Sequence, residues 1–155
     1  YNTCFRILNN QVEAEDVMQE SFLAAFTKIS SYKGEVSFGS WLKRIVINKS
    51  IDLLRSRKVR FEELSEKSFN LAAPDDHDAD FEGDHAEMVR KIREAVKQLP
   101  DGFRVVLTLS LFEGFDHEEI ALILQISEST SRSQLVRAKR KLIDFLKSSH
   151  HEDYR

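Results

Sequence analysis

Residues Ser37 to Arg60, SFGSWLKRIVINKSIDLLRSRKVR, place apolar side chains every three or four positions with no proline among them. An unbroken pattern of that period is satisfied by an α-helix with one side turned to a core, so this stretch fixes a long helix as the frame around which the rest must pack. At about 100° per residue, Trp41, Arg44, Asn48, Asp52 and Arg55 fall within roughly an 80° arc, while Leu42, Ile45, Val46 and Leu53 cluster on another side. The arc holds the chain's only tryptophan. An aromatic ring beside an amide and cations suits unpaired nucleic acid, because bases stack on rings, amides bond base edges and cations hold phosphates. A core tryptophan on a helix with a solvated polar side would show the same spacing.

The net charge of −3 and the sequence pI near 6.0 would, taken whole, argue against a nucleic-acid partner. The average hides segregation along the chain. From Lys28 to Arg60 the basic residues Lys28, Lys33, Lys43, Arg44, Lys49, Arg55, Arg57, Lys58 and Arg60 face only Glu35 and Asp52. From Glu62 to Glu87 the sign reverses, with ten acidic residues against Lys67. Five Gly and two Pro in 155 residues, with Leu, Ile, Lys and Glu at helical spacing, favour an all-α protein. Cys4 is the lone cysteine, which excludes an intrachain disulfide and disfavours a stapled secreted scaffold. No apolar run approaches the ~20 residues that span a bilayer, and no signal-peptide pattern opens the chain, so a cytoplasmic location is expected. The opening YNTCFRIL reads as mid-helix, with Tyr1, Phe5 and Leu8 on one side and no cap before them, and predicts a natural start further upstream.

Asn9 and Asn10 break that first helix, and Glu13 to Ile29 forms a second with Met18, Phe22, Ala25 and Ile29 as its expected buried stripe. Its other side carries Glu15, Asp16, Gln19, Glu20 and Leu23. Acidic residues in a first turn complement the helix dipole, but Gln19 and Glu20 lie beyond that turn. Ser30 to Ser40 reads as a polar loop with Gly34, Gly39 and the aromatics Tyr32 and Phe38, leading into the Trp41 helix. The set EAEDVMQESFLAAF, then SFGSWLKRIVINKSIDLLRSR, closely resembles region 2 of the extracytoplasmic-function (ECF) sigma factors, the promoter-recognition subunits of bacterial RNA polymerase. The order AED, Q-E-x-F, Trp-Leu, R-I, N-x-x-x-D and L-R is specific as a set, although no single member is.

Phe61 to Ala86 lacks a steady apolar period, contains Pro74 and is acidic, and so reads as an extended linker with at most a short helix near Leu64. His77 and His85, with the aspartates between them, match no standard metal-ligand spacing, and no metal or cofactor is expected. A helix from His85 to Leu99 should turn Met88, Ile92, Ala95, Val96 and Leu99 inward. Pro100 suits the first position of the next helix, which carries Phe103, Val106, Leu107, Ser110 and Leu111 until Gly114 caps it. Asp116 and Glu119 form a capping-box variant opening HEEIALIL, and Ser127 caps a longer helix from Glu128 to about Lys147. A short helix, a tight turn and a longer basic helix make a helix-turn-helix. The second of these helices should turn Leu135, Leu142, Phe145 and Leu146 inward, leaving Ser129, Ser131, Arg132, Ser133, Arg137, Lys139, Arg140 and Lys141 outside.

LPDGFRVVLTLSLFEGFDHEEIALILQISESTSRSQLVRAKRKL resembles region 4 of the same family over its whole length, including Glu119-Ile120-Ala121 and Arg137-Ala138. Gln125 stands where the turn glycine is usual, and Ser131 where an aliphatic residue is common. The two matches, in the family's order, imply two small helical domains: region 2 over residues 1–60, an acidic linker over 61–86, region 4 over 87–148 and a tail over 149–155. The resemblance implies a non-enzymatic factor that binds core RNA polymerase and promoter DNA, with an anti-sigma factor as a candidate further partner and no small-molecule substrate. It assigns Asp16, Gln19, Glu20 and Leu23 to polymerase binding. It assigns Ser37, Phe38, Trp41, Asn48 and the loop Ser30 to Val36 to a pocket for the minus 10 strand, with Arg44, Arg55, Lys58 and Arg60 on phosphates and Asp52 orienting a neighbour. Ser129, Ser131, Arg132, Ser133, Arg137, Lys139 and Arg140 fall to the minus 35 duplex.

Two other readings compete. A stand-alone helix-turn-helix regulator explains Asp116 to Lys147 equally well but leaves the Trp41 edge without a purpose. A metal-dependent hydrolase using His77 and His85 would place its ligands in the least ordered composition of the chain.

Overall fold

The structure is a computed structural model that describes the backbone of residues 1–63 and 84–152 and the side chains of residues 1–57 and 85–148. The chain divides into two compact units, Tyr1–Ala73 and Pro74–Arg155. All regular structure among the described residues is helical.

In the first unit α1 (Asn2–Leu8), α2 (Gln11–Lys28) and α3 (Phe38–Glu63) pack pairwise. Asn9 takes a left-handed conformation, φ 51°, and ends α1, and the Asn10 side chain accepts from the Glu13 amide to start α2. The core holds Cys4, Ile7 and Leu8 of α1, Ala14, Val17, Ser21 and Ala25 of α2, and Val46, Ile47, Ser50, Ile51 and Leu54 of α3. Ser50 is satisfied within its own helix by donating to the Val46 carbonyl, 2.8 Å away. Burial pushes the Cys4 thiol up, a shift its hydrogen bond with Ser50 partly opposes.

The buried stripe of α2 differs from the expected one by a rotation. Ala25 is inside, but Phe22 and Ile29 are 45% and 49% exposed, and Met18 is half-buried. Small side chains at Ala14, Ser21 and Ala25 let α2 approach its neighbours closely, and this outweighs the bulk of the phenylalanines. On α3 Val46 is buried as expected, whereas Leu42, Ile45 and Leu53 are only half-buried beside a stripe centred on Ile47, Ser50 and Ile51. α3 is covered by both α1 and α2, and Ile47 and Ile51 are buried in that packing. Arg57 fastens all three helices: its guanidinium pairs with the Glu13 carboxylate and donates to the Leu8 carbonyl at 3.3 Å. α3 begins at Phe38, so its first turn occupies positions expected in the loop, and it extends through Glu63 into the expected linker. The short helix expected near Leu64, and His77, lie outside the described residues.

The second unit contains α4 (Asp84–Lys97), α5 (Asp101–Leu107), α6 (His117–Leu124) and α7 (Glu128–Glu152), the last of which packs against each of the others. α4 begins inside the expected linker, and it rests on α7, which needs only a narrow stripe of Ile92, Ala95, Val96 and the following Leu99. Met88, expected inside, is 46% exposed. Pro100 is the residue before α5 rather than its first member. Past Leu107 the helix widens into a π turn over Thr108–Phe112, which rotates the following side chains off the earlier period. Leu109 is therefore buried, and Leu111, expected inside, is 53% exposed. Gly114 takes φ 74° after the turn, a conformation open to glycine at no steric cost. Arg104 was legible as neither core nor site. It is 4% exposed and donates to the Leu99 carbonyl at 2.9 Å and to Asp101. No helix among the described residues is long and apolar enough to cross a membrane, and none of their His, Cys, Asp and Glu side chains group to hold a metal ion.

Candidate nucleic-acid interface

In the first unit the chain leaves α2 through a single 3₁₀ turn, Ile29–Ser31, and returns into α3 over Tyr32 to Ser37. Two hydrogen bonds and one left-handed turn close this short loop. The Tyr32 hydroxyl donates to the Val36 carbonyl at 2.5 Å, Gly34 supplies a left-handed turn at φ 72°, and Ser37 accepts from the Ser40 amide at 3.2 Å to cap α3. Tyr32, Phe38 and Trp41 form a trio in which every pair of ring centroids lies 5.3 to 5.8 Å apart. Trp41 is thus engaged on two sides and half-buried, while Phe38 keeps 48% of its surface open. Phe38 is thus the more open ring, and Trp41 packs against both it and Tyr32.

One turn and more along α3, Asn48 and Arg44 are exposed. Arg55 lies 3.5 Å from Asp52. Lys58 and Arg60 lie in α3, but their side chains are outside those described. Arg57 belongs to the packing described above. Asp16, Gln19, Glu20 and Leu23 are all exposed on α2, Leu23 at 67%. Between α2 and α3 runs a groove of about 370 Å³ lined by Glu13, Asp16, Glu20, Lys49, Asp52 and Ser56 among others, across which Lys49 meets Glu20 at 3.3 Å. Lys49 was not singled out by the sequence, since its partner lies 29 positions away.

In the second unit Asp116 accepts from the Glu119 amide at 2.8 Å while Glu119 accepts from the Asp116 amide at 3.1 Å, completing the capping box. Gln125 makes the turn in a left-handed conformation, φ 56°, and Ser127 accepts from the Thr130 amide to cap α7. Ser129, Arg132, Ser133, Arg137, Lys139 and Arg140 are exposed along α7, and Arg132 pairs with Glu128 at 2.7 Å. Ser131 departs from the expected set. It is fully buried, and its hydroxyl is hydrogen-bonded to His117 Nδ1 at 2.8 Å, so it joins α7 to the first residue of α6 instead of facing outward. Arg137, Arg140 and Lys141 also border a groove of about 320 Å³ with Phe103, Asp144 and Phe145, where Lys141 Nζ sits 5.8 Å above the Phe145 ring.

Residues 1–60 match the sequence family described as Sigma-70 region 2, and residues 89–142 match that described as Sigma-70, region 4. The chain is 32% identical over 154 residues to the RNA polymerase sigma-H factor of Pseudomonas aeruginosa, covering 86% of this chain and 73% of that protein. It is 32% identical over 147 residues to the ECF RNA polymerase sigma factor SigE of Mycolicibacterium smegmatis, covering 94% of this chain and 56% of that protein. Among solved structures, the sigma factor RpoE in complex with the anti-sigma factor NepR from Bartonella quintana shares the fold at a TM-score of 0.64 and 22% identity, covering 94% of this chain and 88% of that one.

Proposed function

The chain belongs to the ECF sigma factors of bacterial RNA polymerase, and from that membership we propose that it binds core polymerase through α2 and directs it to promoters through two DNA-reading surfaces. Residues 1–60 act as region 2, 61–86 as linker and 87–148 as region 4. Phe38, Asn48 and the loop before α3 hold unstacked bases of the minus 10 strand, Trp41 holds the loop in place, and Arg44, Arg55 and Lys58 hold the strand's phosphates. Arg132, Ser133 and Arg137, with Ser129, Lys139 and Arg140 around them, meet the minus 35 duplex in the major groove, where a helix fits and each base pair presents a distinct edge. Asp16, Gln19, Glu20 and Leu23 make an acidic and amide surface around one leucine that suits a basic helical partner.

The observation that carries this reading is the self-closed aromatic loop at the start of α3, with an exposed asparagine further along the same helix. An open phenylalanine face and a free-standing amide are the two groups that capture of a flipped base requires. The chain itself makes and breaks no bond; the polymerase it directs does. It works in the cytoplasm, where the polymerase is. RpoE bound to NepR, and CnrH bound to the cytosolic domain of CnrY, which matches at a TM-score of 0.56, support an anti-sigma partner for this chain as well.

The test is Phe38→Ala and Asn48→Ala, each assayed with core polymerase on pre-melted and on fully duplex promoters. Both variants should bind duplex near wild type, lose open-complex formation and lose discrimination at minus 10. Retained discrimination in both would remove the pocket from this helix.

A further inference from the structure

Side-chain contacts within the loop from Tyr32 to Ser37 run to the loop itself and the first turn of α3, Tyr32 takes part in most of them, and its amide donates back to the Ile29 carbonyl at 3.1 Å. Its ring packs edge-on against Phe38, 5.8 Å between centroids, and tilted on Trp41 at 5.3 Å. The hydroxyl at the far end of the same ring holds the Val36 carbonyl four residues along. One side chain thus anchors the start of the loop to the helix and pins its end. Lys33, Glu35 and Val36 are left pointing to solvent. A polar loop of this length held only by its ends would sample many backbone states, and ordering it on contact with DNA would weaken capture.

We propose that Tyr32 is a positioning residue for single-strand capture: through the Val36 carbonyl it holds the loop in the capturing shape before DNA arrives. The proposal rests on the reading of Phe38 and Asn48 as the minus 10 pocket. The ring and the hydroxyl have separable duties. The ring keeps Trp41 and Phe38 in place, and the hydroxyl sets the loop. Tyr32→Phe keeps the first and removes the second, so the trio and the fold stay intact while the loop is released.

The experiment uses the full chain bound to core polymerase. A pool of single-stranded DNA with a randomised window is selected on the wild-type holoenzyme, and the enriched strand becomes the probe. Tyr32→Phe should weaken binding of that strand by about threefold to tenfold, the range expected for one lost hydrogen bond. Discrimination against single-base changes in the strand should flatten, and hydrogen exchange at the amides of Lys33 to Ser37 should quicken. Duplex binding by the second unit should not change. Faster exchange with unchanged strand affinity would make the hydroxyl a structural feature only and overturn the proposal. Equal losses on strand and duplex would overturn it too, since they report general damage. Phe38→Ala and Asn48→Ala run beside it as the reference. If they abolish discrimination and Tyr32→Phe does not alter it, the pocket stands and the clasp falls. If neither of them alters it, the pocket falls and the clasp with it.

Discussion

The surfaces proposed to face DNA are held by different means in the two units. In the second, the reading surface is a helix, and what places it is a chain of local devices: the Asp116 capping box, the left-handed Gln125 and the Ser127 cap, each acting within a few residues. In the first, the surface is a loop, and what places it is side-chain packing among three rings together with one tyrosine hydroxyl. A duplex presents its edges along a groove, so a rigid projecting helix is enough to read it. An unstacked base has to be enclosed, which asks for a concave, pre-shaped loop and an open ring. Both units use caps, but the loop of the first adds a cluster of three rings and a tyrosine hydroxyl where the second adds the His117–Ser131 tie, so the two should fail under different substitutions.

The largest effect should come from a surface that belongs to neither reading unit's DNA side. Asp16→Lys combined with Glu20→Lys reverses the charge of the α2 surface and should abolish co-elution with core polymerase while circular dichroism stays unchanged. Because Glu20 also meets Lys49 across the groove, Lys49→Ala serves as the control and should leave co-elution intact. Unchanged co-elution of the double variant would move the docking surface elsewhere.

Next in size is Arg137→Ala, with duplex binding by the full chain and core polymerase measured at several salt concentrations. Loss of a base contact would cost about 1–3 kcal/mol at the cognate sequence and relax specificity, whereas loss of a phosphate contact would weaken all sequences alike and lower the salt slope by about one. No change in either would leave Arg137 as a surface charge.

A similar range applies to His117→Ala. It strands the buried Ser131 hydroxyl, at about 1–3 kcal/mol in the thermal stability of the second unit. Adding Ser131→Val should recover much of the loss, because an apolar pair needs no partner. Recovery without restored minus 35 discrimination would sharpen the comparison, since it would show that this helix depends on a side-chain tie as well as on its caps. The smallest effect is expected from Gln125→Gly, which relieves a left-handed conformation but loosens the unfolded chain, for a net gain of roughly 0.5 kcal/mol at most in Tm-derived stability.

The same contrast explains what could be read from the sequence. Caps and breaks are written locally, so Asn9, Asp116 with Glu119, Ser127 and the order of the seven helices among the described residues were legible, as was the amphipathic frame from Ser37 onward. The inward sides were less so. On α2 the small Ala14 and Ser21 are buried and Phe22 is not, because closeness of approach decided the packing, and that is a property of the neighbouring helices. On α5 the period failed at a π turn that leaves no signature in composition. Of the candidate site, Asn48 and the arginines of α7 are exposed as their spacing predicts, Phe38 is exposed but in the first turn of α3 rather than in the loop, and Ser131 turned inward because His117, fourteen positions earlier, gave it a partner. The Tyr32 clasp could not be seen, since a hydroxyl reaching a carbonyl depends on how the loop closes.

The account's central claim, that one chain joins core polymerase to promoter DNA through both units, is tested most directly by transcription. Core polymerase is given the region upstream of the chain's own gene as template, with and without the full chain. Start-site-specific transcript should appear only with the chain, and should be lost with Phe38→Ala or Asn48→Ala although the duplex remains bound. No chain-dependent transcript, together with duplex binding by the chain alone as a dimer, would contradict the account and favour a stand-alone helix-turn-helix regulator.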